Sequence, residues 1–159
     1  MANFQFDGSI SPNAAVVSVV KDVVAGTTAS ISVGDLFRTD DGNPGYVKLG
    51  ANGDTDTLTL NRVYLCTKAS DETAGVDGTV QGIWCPFMRL LGTATTPGNL
   101  AQSVIDTRVT LDLSGSTQTI DENDTTNGFM RIVRPATGYS EFDTTNGLNV
   151  AVVVNECVT

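Results

Sequence analysis

Hydrophobic positions along this chain recur at strand spacing, and the densest run is Thr79–Ala94, TVQGIWCPFMRLLGTA, which holds the only Trp and two of the three Cys. Side chains alternate between the faces of a strand, so Val80, Trp84, Met88 and Leu90 point one way while Ile83, Cys85, Phe87 and Leu91 point the other. Both faces are apolar. Such a run is covered on both sides within its own domain, or on one side by another chain. Pro86 has no N–H for a ladder, so the pattern predicts two strand segments, Thr79–Cys85 and Phe87–Ala94, with the Phe87–Leu91 half near a sheet edge.

Taken in order, Met1–Asn13 reads as an extended, polar N-terminal arm with Phe4 and Phe6 at strand spacing. These two rings either tuck back onto their own domain or dock on a neighbouring subunit. In the second case the arm is dispensable for the fold and needed for binding. Ala14–Val24 is a Val-rich strand whose β-branched crowding disfavours helix, and Ala25–Ala29 turns it. Ile31–Arg38 (ISVGDLFR) carries a turn or bulge at Gly34–Asp35, DDGNPG at Asp40–Gly45 is the strongest turn signal, and Tyr46–Leu49 returns. After a loop at Gly50–Asp56, Thr57–Lys68 alternates as a half-buried strand, and Ser70–Gly78 is an acidic loop. Arg108–Leu113, Thr117–Ile120, Phe129–Val133 and Leu148–Val154 complete the strands. The last is apolar enough to lie centrally in a sheet. Only Asn99–Thr107 has room for a turn or two of helix. DTTNG occurs twice, at Asp124–Gly128 and Asp143–Gly147, which reads as one turn chemistry used twice.

The fold expected is therefore all-β: a small barrel or sandwich with a second packed β-unit, minimal helix and an extended arm. The divisions are residues 1–13 for the arm, 14–95 for a first, barrel-like unit and 96–159 for a second unit sharing or extending its core. A chain of 159 residues buries about two-thirds of its unfolded surface, enough for this arrangement.

Charge narrows the partners. Eighteen acidic residues face nine basic ones, a formal charge of −9 with no basic cluster, which argues against direct nucleic-acid binding and for solubility. Met1–Pro12 lacks a basic leader, and the apolar tract Ala14–Ala25 is broken by Lys21 and Asp22, too short for a bilayer. Cys66, Cys85 and Cys157 read as buried free thiols, because no second ligand pair and no His are present to build a metal site. Without His the commonest general base and the Ser-His and Cys-His nucleophiles are also missing. Asp121, Glu122 and Asp124 with Asn123 are the one cluster with oxygens for Ca²⁺, but their spacing is not that of an EF-hand, and a solvated turn is the plainer reading. The expectation is a non-enzymatic protein with no catalytic residue, metal, cofactor or small-molecule substrate.

The order Val33-Gly34-Asp35-Leu36-Phe37, then Gly45-Tyr46-Val47-Lys48-Leu49, then an acidic loop into Gly78-Thr79-Val80-Gln81-Gly82-Ile83, resembles the small β-barrel head-decoration, or cement, proteins of tailed bacteriophages. Val109–Ser114, Ile120 and Phe129–Val133 are similar in style to second β-units of such proteins. This chain is longer than their shortest members. The resemblance implies homotrimers on the outer surface of a virion, made in the host cytoplasm, that clamp major capsid protein subunits at local three-fold positions. Contacts to capsid or sister subunits would then come from Phe4, Phe6, Trp84, Phe87 and Arg89, with Trp84 equally suited to the core. The competing classes are a subunit of a phage tail or other surface filament, and a carbohydrate-binding β-sandwich.

Overall fold

The computed structural model describes residues 3–11, 14–26, 30–55, 62–137, 141–145 and 147–156. They form an all-β protein of two sheets with no α-helix and two short 3-10 turns, Pro97–Asn99 and Gln102–Val104, where the sequence left room for helix. The strands are β1 (Gln5–Ser9), β2 (Val17–Val23), β3 (Leu36–Thr39), β4 (Tyr46–Leu49), β5 (Val63–Lys68), β6 (Gly78–Trp84), β7 (Met88–Gly92), β8 (Arg108–Ser114), β9 (Thr117–Asp121), β10 (Met130–Pro135) and β11 (Val150–Val154). Five of them close a barrel in the order β2-β4-β3-β5-β6, and the other six form a sheet ordered β1-β7-β11-β10-β8-β9. Parts of the expected strand at Thr57–Lys68 and of the turn at Ala25–Ala29 lie outside the described residues, as do Cys157 and Asn146 of the second DTTNG.

Apolarity on both strand faces is explained by two cores that share strands. Phe37, Tyr64, Cys66 and Val80 fill the barrel with Val23, Ile31, Val47 and Leu49. The alternate residues Leu36, Val63, Leu65 and Ile83 leave the barrel outward and join Met88, Leu90, Leu111, Ile132 and Val152 in the larger core of the six-stranded sheet. Thus β3, β5 and β6 each serve both cores, one face apiece.

The chain passes between the sheets at Cys85-Pro86-Phe87. Pro86 splits the apolar run as its chemistry requires, and Phe87 takes a left-handed φ of 48° to make the corner. The barrel's last strand, β6, ends just before this corner, and β7 after it belongs to the six-stranded sheet. Phe87–Leu91 is not at an edge: β7 is flanked by β1 on one side and β11 on the other. The proline's missing donor is accommodated in the turn, which leaves the strand after it free to sit centrally. Beyond Gly92, Thr95 N–H donates to Ile120 O and Ile120 N–H to Thr93 O, both at 2.8 Å. These bonds put β9 on the strand edge that β1 covers further back, so the six-stranded sheet curls onto itself.

Residues 3–11 are not a free arm. β1 pairs with β7, Phe4 N–H donates to Gly34 O at 2.8 Å, and the Phe4 ring is 1% exposed. It sits where a Cβ on Gly92 would lie 2.6 Å from its Cε1, so Gly92 is the space the ring occupies. Burial of this aromatic overturns the expectation that the arm is dispensable for folding.

Two side-chain amides join the halves. Gln118, on β9, accepts Leu36 N–H at 2.7 Å and donates to Leu36 O and Gly50 O at 2.9 Å each. Asn155, just past β11, accepts Val63 N–H at 3.0 Å and donates to Val63 O at 2.9 Å and Cys85 O at 3.3 Å. Each amide supplies the donor and acceptor that a neighbouring strand would offer to the start of β3 or β5.

Gln118→Leu keeps volume but strands the buried Leu36 N–H and Gly50 O, while Leu36 O keeps the Gly50 N–H at 2.9 Å, and a loss of about 2–3 kcal/mol in urea denaturation is expected. Asn155→Gly retains the left-handed backbone, φ 59°, and should cost a similar amount. A change below about 0.5 kcal/mol in both would refute the role assigned to the amides.

Candidate interaction surface

The five residues expected to make contacts fare differently. Phe4 is in the core. Phe6 is half-buried and packs against that same core. Arg89 is held inside its own chain: its Nε donates to Asp7 Oδ2 at 2.7 Å and its Nη2 to Asp7 O at 2.8 Å, while Arg134 Nη2 reaches the same carboxylate oxygen at 2.7 Å. That ion-paired set ties β1, β7 and β10 together. Phe87 lies at the corner between the sheets, with its N–H donating to Asn155 O at 3.1 Å and its carbonyl accepting Ile10 N–H at 3.2 Å. Trp84 alone opens to a cavity. The structure brings Phe4 and Phe6 together with the β7 neighbourhood of Arg89, and sets Trp84 apart on the barrel.

Exposed large apolar side chains lie elsewhere: Val16 just before β2, Val17 and Val20 on it, and Ile10, Val33 and Val76 apart from it. Val16, Val17 and Val20 are 48%, 45% and 64% exposed. β2 pairs with β6 along its whole length but with β4 only at Asp22 and Val23, because β4 begins at Tyr46. Among the described residues, Val17–Lys21 have no ladder partner on that second edge. The signal in the sequence was present: an Ala14–Val24 tract with more Val than one buried face can use.

Beside β2 the mouth of the barrel opens into a cavity of about 260 Å³ lined by Val19, Lys21, Arg62, Tyr64 and Trp84. Beneath it the Phe37 ring fills the place a Cβ on Gly82 would take, 2.6 Å from it, and stacks on Tyr64 at 5.1 Å between centroids. Lys21 Nζ lies 5.6 Å from the centre of the Tyr64 ring, within cation–π range. Burial raises the Tyr64 phenol above its ordinary range, with Arg62 working against the rise. Lys21 and Arg62 escaped the sequence reading because they are distant in the chain. The available clue was a lysine in an apolar tract, in register with the inward-facing valines Val19 and Val23.

The acidic cluster is a turn. Asp121 Oδ1 accepts the N–H groups of Asn123 and Asp124 at 3.1 and 3.3 Å, and Asp124 accepts Thr126 N–H at 3.0 Å and the Thr110 hydroxyl at 3.1 Å. Glu122 is buried and accepts from Thr96 N–H and from the amides of Asn99 and Asn123. These oxygens are occupied by hydrogen-bond donors, and no group of carboxylates and thiols able to hold a metal occurs among the described residues. Asp143 accepts Thr145 N–H at 2.9 Å as Asp124 does Thr126, so the two DTTNG segments share their turn geometry at these positions. Cys66 and Cys85 are free and buried; burial, with Asp35 adding to it, pushes the Cys66 thiol up to about 11, far from a reactive thiolate at neutral pH. No described helix is long and apolar enough to cross a membrane.

A charged network crowns the β3–β4 hairpin. Arg38 pairs with the buried Asp54 at 2.5 Å and with Asp41 at 3.2 Å, and Lys48 also pairs with Asp41. No protein-family model, curated protein or solved structure matches the chain.

The Lys48 ammonium, with Arg38 beside it, holds the Asp41 carboxyl at about 2, below its ordinary 3.8. A depressed acid favours the folded state above its unfolded pKa, and that contribution fades as pH falls from 3.8 through about 2. Carbon-detected NMR titration should place Asp41 near 2 and show it rising toward 3.8 in Lys48→Met. An unmoved midpoint in the variant would contradict the assignment.

The Phe4 ring generates a second expectation. Phe4→Ala should cost about 3–5 kcal/mol in the same denaturation assay, and Phe6→Ala clearly less; equal, small losses would show that the ring is not part of the core.

Proposed function

We propose that this is a non-enzymatic structural protein that decorates the outside of a tailed-phage capsid, seated as a homotrimer on junctions between major capsid protein subunits. The observation that carries the reading is the exposure of Val16, Val17 and Val20 at β2, whose second edge has no ladder partner from Val17 to Lys21 among the described residues. Exposed valines on a strand favour burial against another polypeptide. The two cores, joined through shared strands and buried amides, support the reading by giving a body stiff enough to brace neighbours. The segments Val33–Phe37 and Gly45–Leu49 that resemble cement proteins fall on the β3–β4 hairpin and the turn before it.

The contact surface proposed here replaces most of the residues first expected. Phe4 and Arg89 serve the fold, whereas Val16, Val17 and Val20 are exposed at β2 beside the barrel rim. A stable junction needs about 1,000 Å² or more in total, so residues beyond the β2 valines would have to take part.

Mass measurement in solution followed by mixing with purified undecorated shells tests the reading. A discrete trimer that raises the shell's melting temperature is expected, with binding weakened about ten-fold or more by Val20→Asp at unchanged protein stability. A monomer indifferent to shells overturns the proposal, and concentration-dependent polymerisation would replace it with a filament subunit.

A further inference from the structure

We infer that the mouth of the barrel is a recognition pocket for a carboxylate side chain carried by an extended segment of a partner polypeptide. The inference does not depend on the capsid reading, since the pocket's chemistry is the same for any partner protein.

The charges carry it. Of nine basic residues, six close ion pairs within the chain: Arg38, Lys48, Arg89, Arg108, Arg131 and Arg134. Lys21, Arg62 and Lys68 form none among the described residues, and two of these three line one cavity. In a chain with twice as many acids as bases, unspent cations are scarce, so their meeting across a barrel mouth is not a consequence of composition. They come from different strands, β2 and the residue before β5, and converge because Val19 and Lys21 share the inward register with Val23. Asp22, the nearest acid in sequence, points to the opposite face.

The walls define what can accompany the anion. Tyr64 and Trp84 offer aromatic surface and Val19 an aliphatic one, suited to the methylenes of an acidic side chain, while Lys21 and Arg62 meet its oxygens. A volume of about 260 Å³ lies below the usual range of small-molecule sites and accommodates one side chain with some water. A polypeptide is favoured over a free acid because the edge of β2 from Val17 to Lys21, without a ladder partner among the described residues, leads to the rim, with the exposed Val17 in the inward register and the exposed Val20 on the other face of the strand. A segment lying along that edge could place one acidic side chain in the mouth and apolar ones on the valines.

Trp84, the only tryptophan, reports on the pocket directly. The probe is a blocked pentapeptide of alternating valine and threonine with a central glutamate, titrated against the full-length protein while Trp84 emission is read. A saturable change is expected, with affinity about ten-fold lower for the glutamine-centred peptide and for the Lys21→Met and Arg62→Met variants, and falling as salt rises. Backbone amide shifts of Val19 and Tyr64 provide a second readout if the indole emission is insensitive, and matched melting curves establish that the variants fold. Equal binding of the glutamine peptide, undiminished binding by the variants, or no response in either readout overturns the inference. Glucuronate binding as tightly as the peptide would overturn it too, in favour of an acidic sugar.

Discussion

Two buried carboxamides decide how this molecule is put together. Gln118 and Asn155 each treat one barrel residue, Leu36 or Val63, as a strand would, taking its N–H and giving to its C=O. Those backbone groups belong to the first residues of β3 and β5 and are buried where the sheets meet. Without the amides the N–H groups of Leu36 and Val63 would lose these acceptors, a cost of roughly 1–3 kcal/mol for each group, while Leu36 O would keep the Gly50 N–H at 2.9 Å. The hydrogen bonds fix one orientation of barrel on sheet, which hydrophobic contact alone does not specify. Leu36, Val63 and Leu65 supply the area; the amides supply the register.

That constraint explains why the strands were legible in the sequence and their arrangement was not. Turn chemistry at DDGNPG, around Gly34 and at the two DTTNG segments punctuates the chain clearly, and the strands between were found within a few residues. Apolarity on both faces left two coverings open, within the domain or by another chain, and two cores within the chain cover β3, β5 and β6. It could not say that one face of β5 belongs to the barrel and the other to the second core, because Tyr64 and Leu65 are equally hydrophobic. Nor does any local pattern reveal that β2 and β4 run parallel, or that Phe4 occupies the space left by Gly92; both are long-range pairings. The site was less legible for the same reason. Trp84 stood out by its type, but Lys21 and Arg62 become a pair only once the barrel closes.

Phe4 and Arg89 show how an exposed-looking residue is claimed by the fold. Val153 on β11 is fully buried and lies in register between Arg89 and Arg131. Arginine stems are apolar and cover such a strand while their heads remain paired, here with Asp7 and with Glu156. Asp7 in turn requires β1 to be docked, and β1 is anchored by Phe4. The arm, the ion pairs and the central strand are therefore one device, and its residues have little left to offer a partner.

The acid surplus has a comparable explanation. Asp40, Asp54, Asp71, Asp77, Asp121, Asp124 and Asp143 each accept a backbone N–H at a turn or loop. An all-β chain with many tight connections has many such donors, and aspartate meets them with a short, charged acceptor. The acidity is thus largely turn chemistry as well as a solubility device. Most of the bases, in turn, are engaged in ion pairs that staple strands. What remains after both demands are met is a short apolar edge on β2 and two cations at the barrel mouth beside it. The valines leave apolar surface in water, and Lys21 and Arg62 meet no carboxylate among the described residues. Apolar surface and charge placed side by side at the barrel are what the proposed contact and pocket would use.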